Sequence, residues 1–432
     1  MRLKLRTAFY LTLLYFFTSL GVQAQDLKYA RQVVNKLASA AFKGRGYEQN
    51  GALIASGYIA AEFRKSGLSP LNQGSYFQEF QIPANTFPGK MNVRLNDQLL
   101  TPAADYLIDA SSPALHGTFP LHLADPHDLG NPEKLGSLLS QAQNAFLGVD
   151  LRDSSVSKSD KQAVQKVMEG LQEDERSGIK GLVIFTSEKL TWTTLSFQTK
   201  VPLLTINKKD VEPSIVKTIT VDIDAQFIPD FTTRNVAGMV KGTSGSDSTI
   251  VISAHYDHLG MMGDQVYFPG ANDNASGTAM MLNLARYYAK HPPKYNTVFL
   301  AFSAEEIGLL GSKAFVEQPL IPLKQIRFLL NLDLAGTGEE GIKVVNGSIF
   351  RTQFDTLKAL NDQYKFLPKI DIRGEACNSD HCRFYALGVP CFFIYTQGGI
   401  QAYHDIQDRP ETLPLTAFGP YFQLITKFLA TF

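Results

Sequence analysis

Seven residues in the second half of the chain stand where apolar runs give way to polar ones. The run Thr249–Ala254 leads directly into His255-Tyr256-Asp257-His258. Thr297–Phe302 is followed by Glu305-Glu306, and Arg327–Leu332 ends on Asp333. Asp273 lies just before a helix expected over Ser276–Lys290, and His404 sits in a polar, glycine-containing loop after the run Val389–Tyr395. Each has an ordinary reading on its own: a strand-end polar group, a loop or cap residue, a solvated helix start. Together they point to a metal centre. Carboxylates packed side by side repel, which raises at least one pKa, and two divalent cations remove the conflict. An aspartate shared by metals ~3.5–4 Å apart, with one histidine and one carboxylate on each metal, is a hydrolytic arrangement. Mixed imidazole and carboxylate donors suit zinc, with cobalt or manganese able to substitute. Adjacent side chains diverge, so one member of Glu305-Glu306 can bind a metal while the other serves as general base.

These residues converge only if the strands lie side by side. Apolar runs alternating with helical stretches over roughly 248–432 are the mark of βαβ units and a mostly parallel sheet flanked by helices. In such sheets ligands bind at the carboxyl ends of the strands. The fold class read from this pattern is α/β with a mixed, mostly parallel central sheet. Upstream, Tyr29, Val33, Val34 and Leu37 recur at helical spacing, and a second helix is expected from Gly51 to Ser66, stopping at Gly67. The stretch 95–230 has a different texture: short β-type runs at Asn144–Asp150, Gly181–Thr186, Val201–Asn207 and Thr218–Ile223, with a charged helical stretch Ser157–Arg176. It reads as an inserted, smaller α/β or β-rich domain. The expected division is a signal segment 1–24, a site-bearing domain 25–95 plus 231–432, and an insert 96–230.

Of the 432 residues, 44% are apolar and 19% charged, the balance of a folded chain with a large core, which excludes disordered and collagen-like architectures. Lys+Arg and Asp+Glu are both 41. That neutrality argues against a nucleic-acid or anionic-membrane surface as the main partner. Arg2, Lys4 and Arg6, a short apolar run Ala8–Phe17, and Val22-Gln23-Ala24 read as a cleavable export signal. No later segment is apolar and long enough to span a bilayer, so the mature chain is expected to be periplasmic or extracellular. Cys377, Cys382 and Cys391 allow at most one bridge, Cys377–Cys382 being the nearest pair.

The ordered segments Ala254-His255-Tyr256-Asp257-His258-Leu259-Gly260, Gly270-Ala271-Asn272-Asp273-Asn274-Ala275-Ser276-Gly277, Phe302-Ser303-Ala304-Glu305-Glu306-Ile307-Gly308, Asn331-Leu332-Asp333, Ser379-Asp380-His381 and Tyr403-His404 resemble the M28 (aminopeptidase Y) family of zinc aminopeptidases. The resemblance extends upstream to Gly44-Arg45-Gly46 and Gly67-Leu68-Ser69-Pro70. It implies a zinc exopeptidase fold with two Zn2+, His255 and Asp333 on one, Glu306 and His404 on the other, and Asp273 bridging. Glu305 would be the base that takes a proton from the attacking water, and Asp257 would orient His255. It also implies a cis Asp273–Asn274 peptide and a protease-associated-like identity for the insert. A substrate pocket is expected from Gly336–Val345 and Cys377–Ile400. The implied activity is removal of N-terminal residues from peptides. A glutaminyl cyclase-like acyltransferase and a non-catalytic binding protein on the same fold are the alternatives.

Overall fold

The computed structural model describes residues 27–432; the expected signal segment lies outside them. The chain opens with two helices, α1 (Leu27–Leu37) and α2 (Gly51–Ser66), then strand β1 (Phe77–Thr86). Next come β2 (Met91–Leu95), β3 (Gln98–Leu100), β4 (Tyr106–Ile108), β5 (Leu115–Ala124), α3 (Pro132–Gln141), β6 (Phe146–Asp150), α4 (Lys158–Gln172), β7 (Gly181–Phe185), β8 (Leu203–Ile206) and β9 (Thr218–Ile223). The long strand β10 (Gln226–Val240) leads into β11 (Thr249–His255), α5 (Gly277–Lys290), β12 (Asn296–Phe302), α6 (Leu310–Glu317) and β13 (Ile326–Asp333). The chain closes with β14 (Gly341–Val345), α7 (Arg351–Tyr364), β15 (Ile370–Ile372), α8 (His381–Tyr385), β16 (Cys391–Gln397) and α9 (Phe418–Leu429).

A nine-stranded mixed sheet organises the larger part. Its centre is four parallel strands in the order β12-β11-β13-β16. These strands read as unbroken apolar runs because both of their faces are covered. Ile250, Ile252, Phe299, Phe328 and Leu330 face a core built with α1, α2, α5 and α9. The intervening Val251, Val298, Leu300 and Leu329 face a second core with Phe315 of α6 and Phe384 of α8. The strands flanking the parallel block run antiparallel to it, β10 on β12 and β14 on β16. Among the described residues no helix is long and apolar enough to cross a membrane.

The second sheet has eight strands, β3-β2-β9-β5-β6-β7-β8-β4, all drawn from residues 91–223. Its first strand is Met91–Leu95, so a division after residue 95 would part β2 from its hairpin partner β3. The ribbon formed by β1 and β10, paired from Phe77↔Val236 to Thr86↔Gln226, carries the chain into this sheet and back out. One face of the sheet is covered by α4, through Val164, Met168 and Leu171. The opposite face shares a core with Leu259, Met262 and Phe268, which follow β11 in the other half. The two halves therefore meet through buried apolar side chains, and that contact lies beside the residues of the candidate site.

Candidate metal centre

Because β11, β12, β13 and β16 are parallel and adjacent, their carboxyl ends share one edge. His255 ends β11, Asp333 ends β13, Glu305 and Glu306 follow β12, and His404 lies beyond β16. His255 Nε2 is 3.4 Å from Asp273 Oδ1 and 3.4 Å from Asp333 Oδ2. His404 Nε2 is 3.1 Å from Asp273 Oδ2 and 3.2 Å from Glu306 Oε2. Asp273 thus divides its two oxygens between the two imidazoles. Glu305 stands with His255 and Asp333, their ligand atoms within 4.8 Å of one another, as are those of His255, Asp273 and Glu306. Donors at 2.0–2.2 Å around a tetrahedral ion are roughly 3.3–3.6 Å apart; the two separations at His255 fall in that range, and the two at His404 lie just below it. Ala304, Leu334 and His404 hold φ values of 59°, 45° and 52°. Such left-handed conformations cost non-glycine residues on the order of 1 kcal/mol each and cluster where a site dictates the backbone.

The loop that presents Asp273 is held from several sides. Arg45 is fully buried and donates five hydrogen bonds to carbonyls: Nε to Tyr256 (2.7 Å), Nη1 to Leu37 (2.9 Å) and Pro269 (2.7 Å), and Nη2 to Gly270 (2.8 Å) and Asp273 (3.2 Å). Asp408, also buried, accepts from the backbone N–H groups of Asn272 (2.8 Å) and Asp273 (3.0 Å). Asn274 Nδ2 donates to Leu332 O at 3.0 Å, and Asn272 Oδ1 accepts from Gly336 N at 3.0 Å, tying the loop to the end of β13. The Asp273–Asn274 peptide is cis.

Asp257 is buried and supports its neighbours. It accepts the Tyr47 hydroxyl at 2.7 Å and the N–H groups of Glu305 and Glu306 at 3.2 Å each, with its Oδ1 3.7 Å from His255 Nδ1. His258 Nδ1 lies 2.7 Å from Glu306 Oε1, the oxygen that His404 does not face. The electrostatics follow from crowding. Burial alone would depress His255 and His404, but Glu305 and Asp333 raise the first well above the ordinary histidine value, and Glu306 and Asp273 push the second up to about 11. Burial would raise Asp273, yet hydrogen bonds from His255 and His404 hold it well below the carboxylate range. Glu306 is raised by burial and by Asp273, but His404 and His258 hold it down to about 2. Burial, reinforced by Glu306, pushes Glu305 well up despite the opposing pull of His255. Protons on the imidazoles are the only positive charge these side chains can themselves supply.

All seven residues singled out from the sequence lie in this cluster. Several others do too. His258 and Arg45 stand inside quoted motifs, but nothing in their spacing signals that one holds Glu306 and the other the Asp273 loop. Asp380, of Ser379-Asp380-His381, is buried at the head of α8, its carboxyl pushed up to about 7 by burial. Tyr47 and Asp408 have no local signal. Nearby, Cys377 and Cys382 form a disulfide and Cys391 is free and buried.

Residues 235–429 match the model of peptidase family M28. Aminopeptidase YwaD of Bacillus subtilis is 31% identical over 172 residues, covering 38% of this chain and 36% of that protein. Leucine aminopeptidase 1 of Metarhizium robertsii is 29% identical over 205 residues, 44% of this chain and 50% of that one. The chain thus spans between a third and half of the length of these relatives. The solved structure of BSAP, a zinc aminopeptidase from Bacillus subtilis, superposes with a TM-score of 0.69 at 21% identity over 94% of this chain and 93% of that one. A peptidase M28 precursor from Shewanella amazonensis gives 0.66 at 17% identity, over 94% and 96%. The fold is shared along nearly the whole length, inserted sheet included. The match to the family M28 model takes in all seven of the candidate site residues.

Two predictions follow from the charges and the clamp. Arg45→Met leaves five carbonyls without their donor in a buried space, so the chain should lose about 3 kcal/mol or more, read from urea unfolding. Arg45→Lys should recover only part of it, since an ammonium has three donors on a single atom. Glu306 and Asp273 favour the protonated form of His404, and only neutral imidazole binds a metal, so zinc binding at this cluster should release protons. Calorimetric titration in buffers of different ionisation enthalpy should give buffer-dependent heats; equal heats would contradict this.

Proposed function

We propose that this chain is a two-zinc aminopeptidase that removes N-terminal residues from peptides. In this reading His255 and Asp333 hold one ion, Glu306 and His404 hold the other, and Asp273 is shared. The division of the Asp273 carboxylate, one oxygen toward His255 and one toward His404, carries the reading. The match of residues 235–429 to peptidase family M28 supports a peptidase, and the names of the Bacillus and Metarhizium relatives favour an aminopeptidase. When bound, the zinc ions supply Lewis acidity toward the scissile carbonyl and lower the pKa of water at the site.

The chain's own residues do the rest. Glu305 is not committed to a histidine as Glu306 is, and burial raises its affinity for a proton. It can therefore accept a proton from the attacking water and deliver it to the leaving amine. Asp257 fixes the backbone of both glutamates and faces His255, so it sets where base and ligand point. In this reading Gly336–Val345 and Cys377–Ile400 would build the pocket for the N-terminal side chain, and their apolar content favours hydrophobic residues. Cleavage of residues 1–24 would deliver the enzyme to the periplasm or the medium.

Glu305→Gln should retain its zinc and lose about 10²–10⁴-fold in kcat on an amino-acid anilide; full activity would remove Glu305 from the role. A chelator should abolish hydrolysis and added zinc restore it. Peptides with acetylated N-termini should not be shortened.

A further inference from the structure

One segment of the inserted domain reaches the metal centre. Between β7 and β8 the chain passes through Lys189–Trp192, which runs alongside the loop bearing His404. Trp192 N donates to His404 O at 2.9 Å, and Trp192 O lies 3.0 Å from His404 Nδ1. This is a two-point clasp between residues 212 positions apart. Lys189 Nζ donates to Gln401 O at 2.8 Å and Tyr403 O at 3.3 Å, and pairs with Asp405 Oδ2 at 2.5 Å. It therefore grips both neighbours of His404. Trp192 is itself anchored: its ring stacks on Phe268 at 4.8 Å between centroids, and its Nε1 donates to Ile108 O at 2.7 Å.

The chemistry of that contact leaves one outcome for the imidazole. A carbonyl oxygen can only accept, so His404 Nδ1 must carry a proton. Its Nε2, which faces Asp273 and Glu306, is then the nitrogen whose lone pair is available to a metal. The His404 backbone occupies the left-handed region, at φ 52°, which the loop would not favour unaided.

We propose that the inserted domain is a positioning element of the metal centre. The Trp192 carbonyl sets the tautomer and orientation of His404, and Lys189 holds the loop that carries it. The inference rests on the reading of His404 as a metal ligand. It gives the insert a role in assembling the catalytic centre, and makes displacement of Lys189–Trp192 equivalent to loosening one metal ligand.

The test is zinc affinity of the full chain, measured by competition with a chelating indicator. Trp192→Ala and Lys189→Met should weaken one zinc equivalent about 10–100-fold and leave the other unchanged. Lys134→Met, on an exposed lysine of the same insert that pairs with Asp128, should change neither. Unfolding of the metal-free proteins shows whether each variant is folded; should Trp192→Ala fail to fold, Lys189→Met decides. A folded variant with both affinities at the wild-type value overturns the inference alone. A wild-type chain that binds no zinc overturns the metal-centre reading, and this inference with it.

Discussion

The centre of this molecule is a concentration of like charge. Asp257, Asp273, Glu305, Glu306 and Asp333 meet at one edge of the sheet, each with less than a tenth of its surface exposed or only partly exposed. Burying carboxylates so close together is unfavourable unless each finds a hydrogen-bond donor or a cation. Much of the surrounding structure meets that demand. Asp257 takes a phenol and two backbone N–H groups, Glu306 takes two imidazoles, and Asp273 is shared between two more contacts of the same kind. Glu305 remains raised, the least compensated of the set.

The fold supplies the precision such crowding needs. Four parallel strands buried on both faces are stiff, and their carboxyl ends are fixed by ladder register. Asp273 has no strand of its own. Arg45 substitutes for one: a buried guanidinium gathers the end of α1, the turn after β11 and the Asp273 loop onto a single hydrogen-bonded hub. Its charge also lies where negative charge is densest, so one side chain contributes both geometry and compensation. The inserted sheet adds a further support through the core it shares with Leu259, Met262 and Phe268.

The legible parts of the sequence were those in which one segment carries its own signal. Unbroken apolar runs ending in His255, Asp333 or just before Glu305 mark doubly covered strands and the residues that leave them. Helix α2 was legible from its apolar spacing and from Gly67, whose φ of 84° closes the helix. Strand β1 was not, because Gln78, Glu79, Gln81 and Pro83 break any apolar run and only pairing with β10 makes the segment a strand. The hairpin of β2 and β3 likewise belongs to the insert because of its pairing to β9, a relation that composition does not record. At the site, Arg45, His258, Asp408 and Trp192 act through contacts far along the chain. Asp273 alone reads as a loop residue, and only its motif sets it apart.

The shared position of Asp273 is the claim on which the functional account stands. A crystal of the zinc-loaded protein, with data collected at the zinc absorption edge, tests it directly. Two anomalous peaks are expected, each about 2.0–2.2 Å from a different oxygen of Asp273, one on the His255 side and one on the His404 side. A single peak, or two peaks with Asp273 on only one of them, would contradict it.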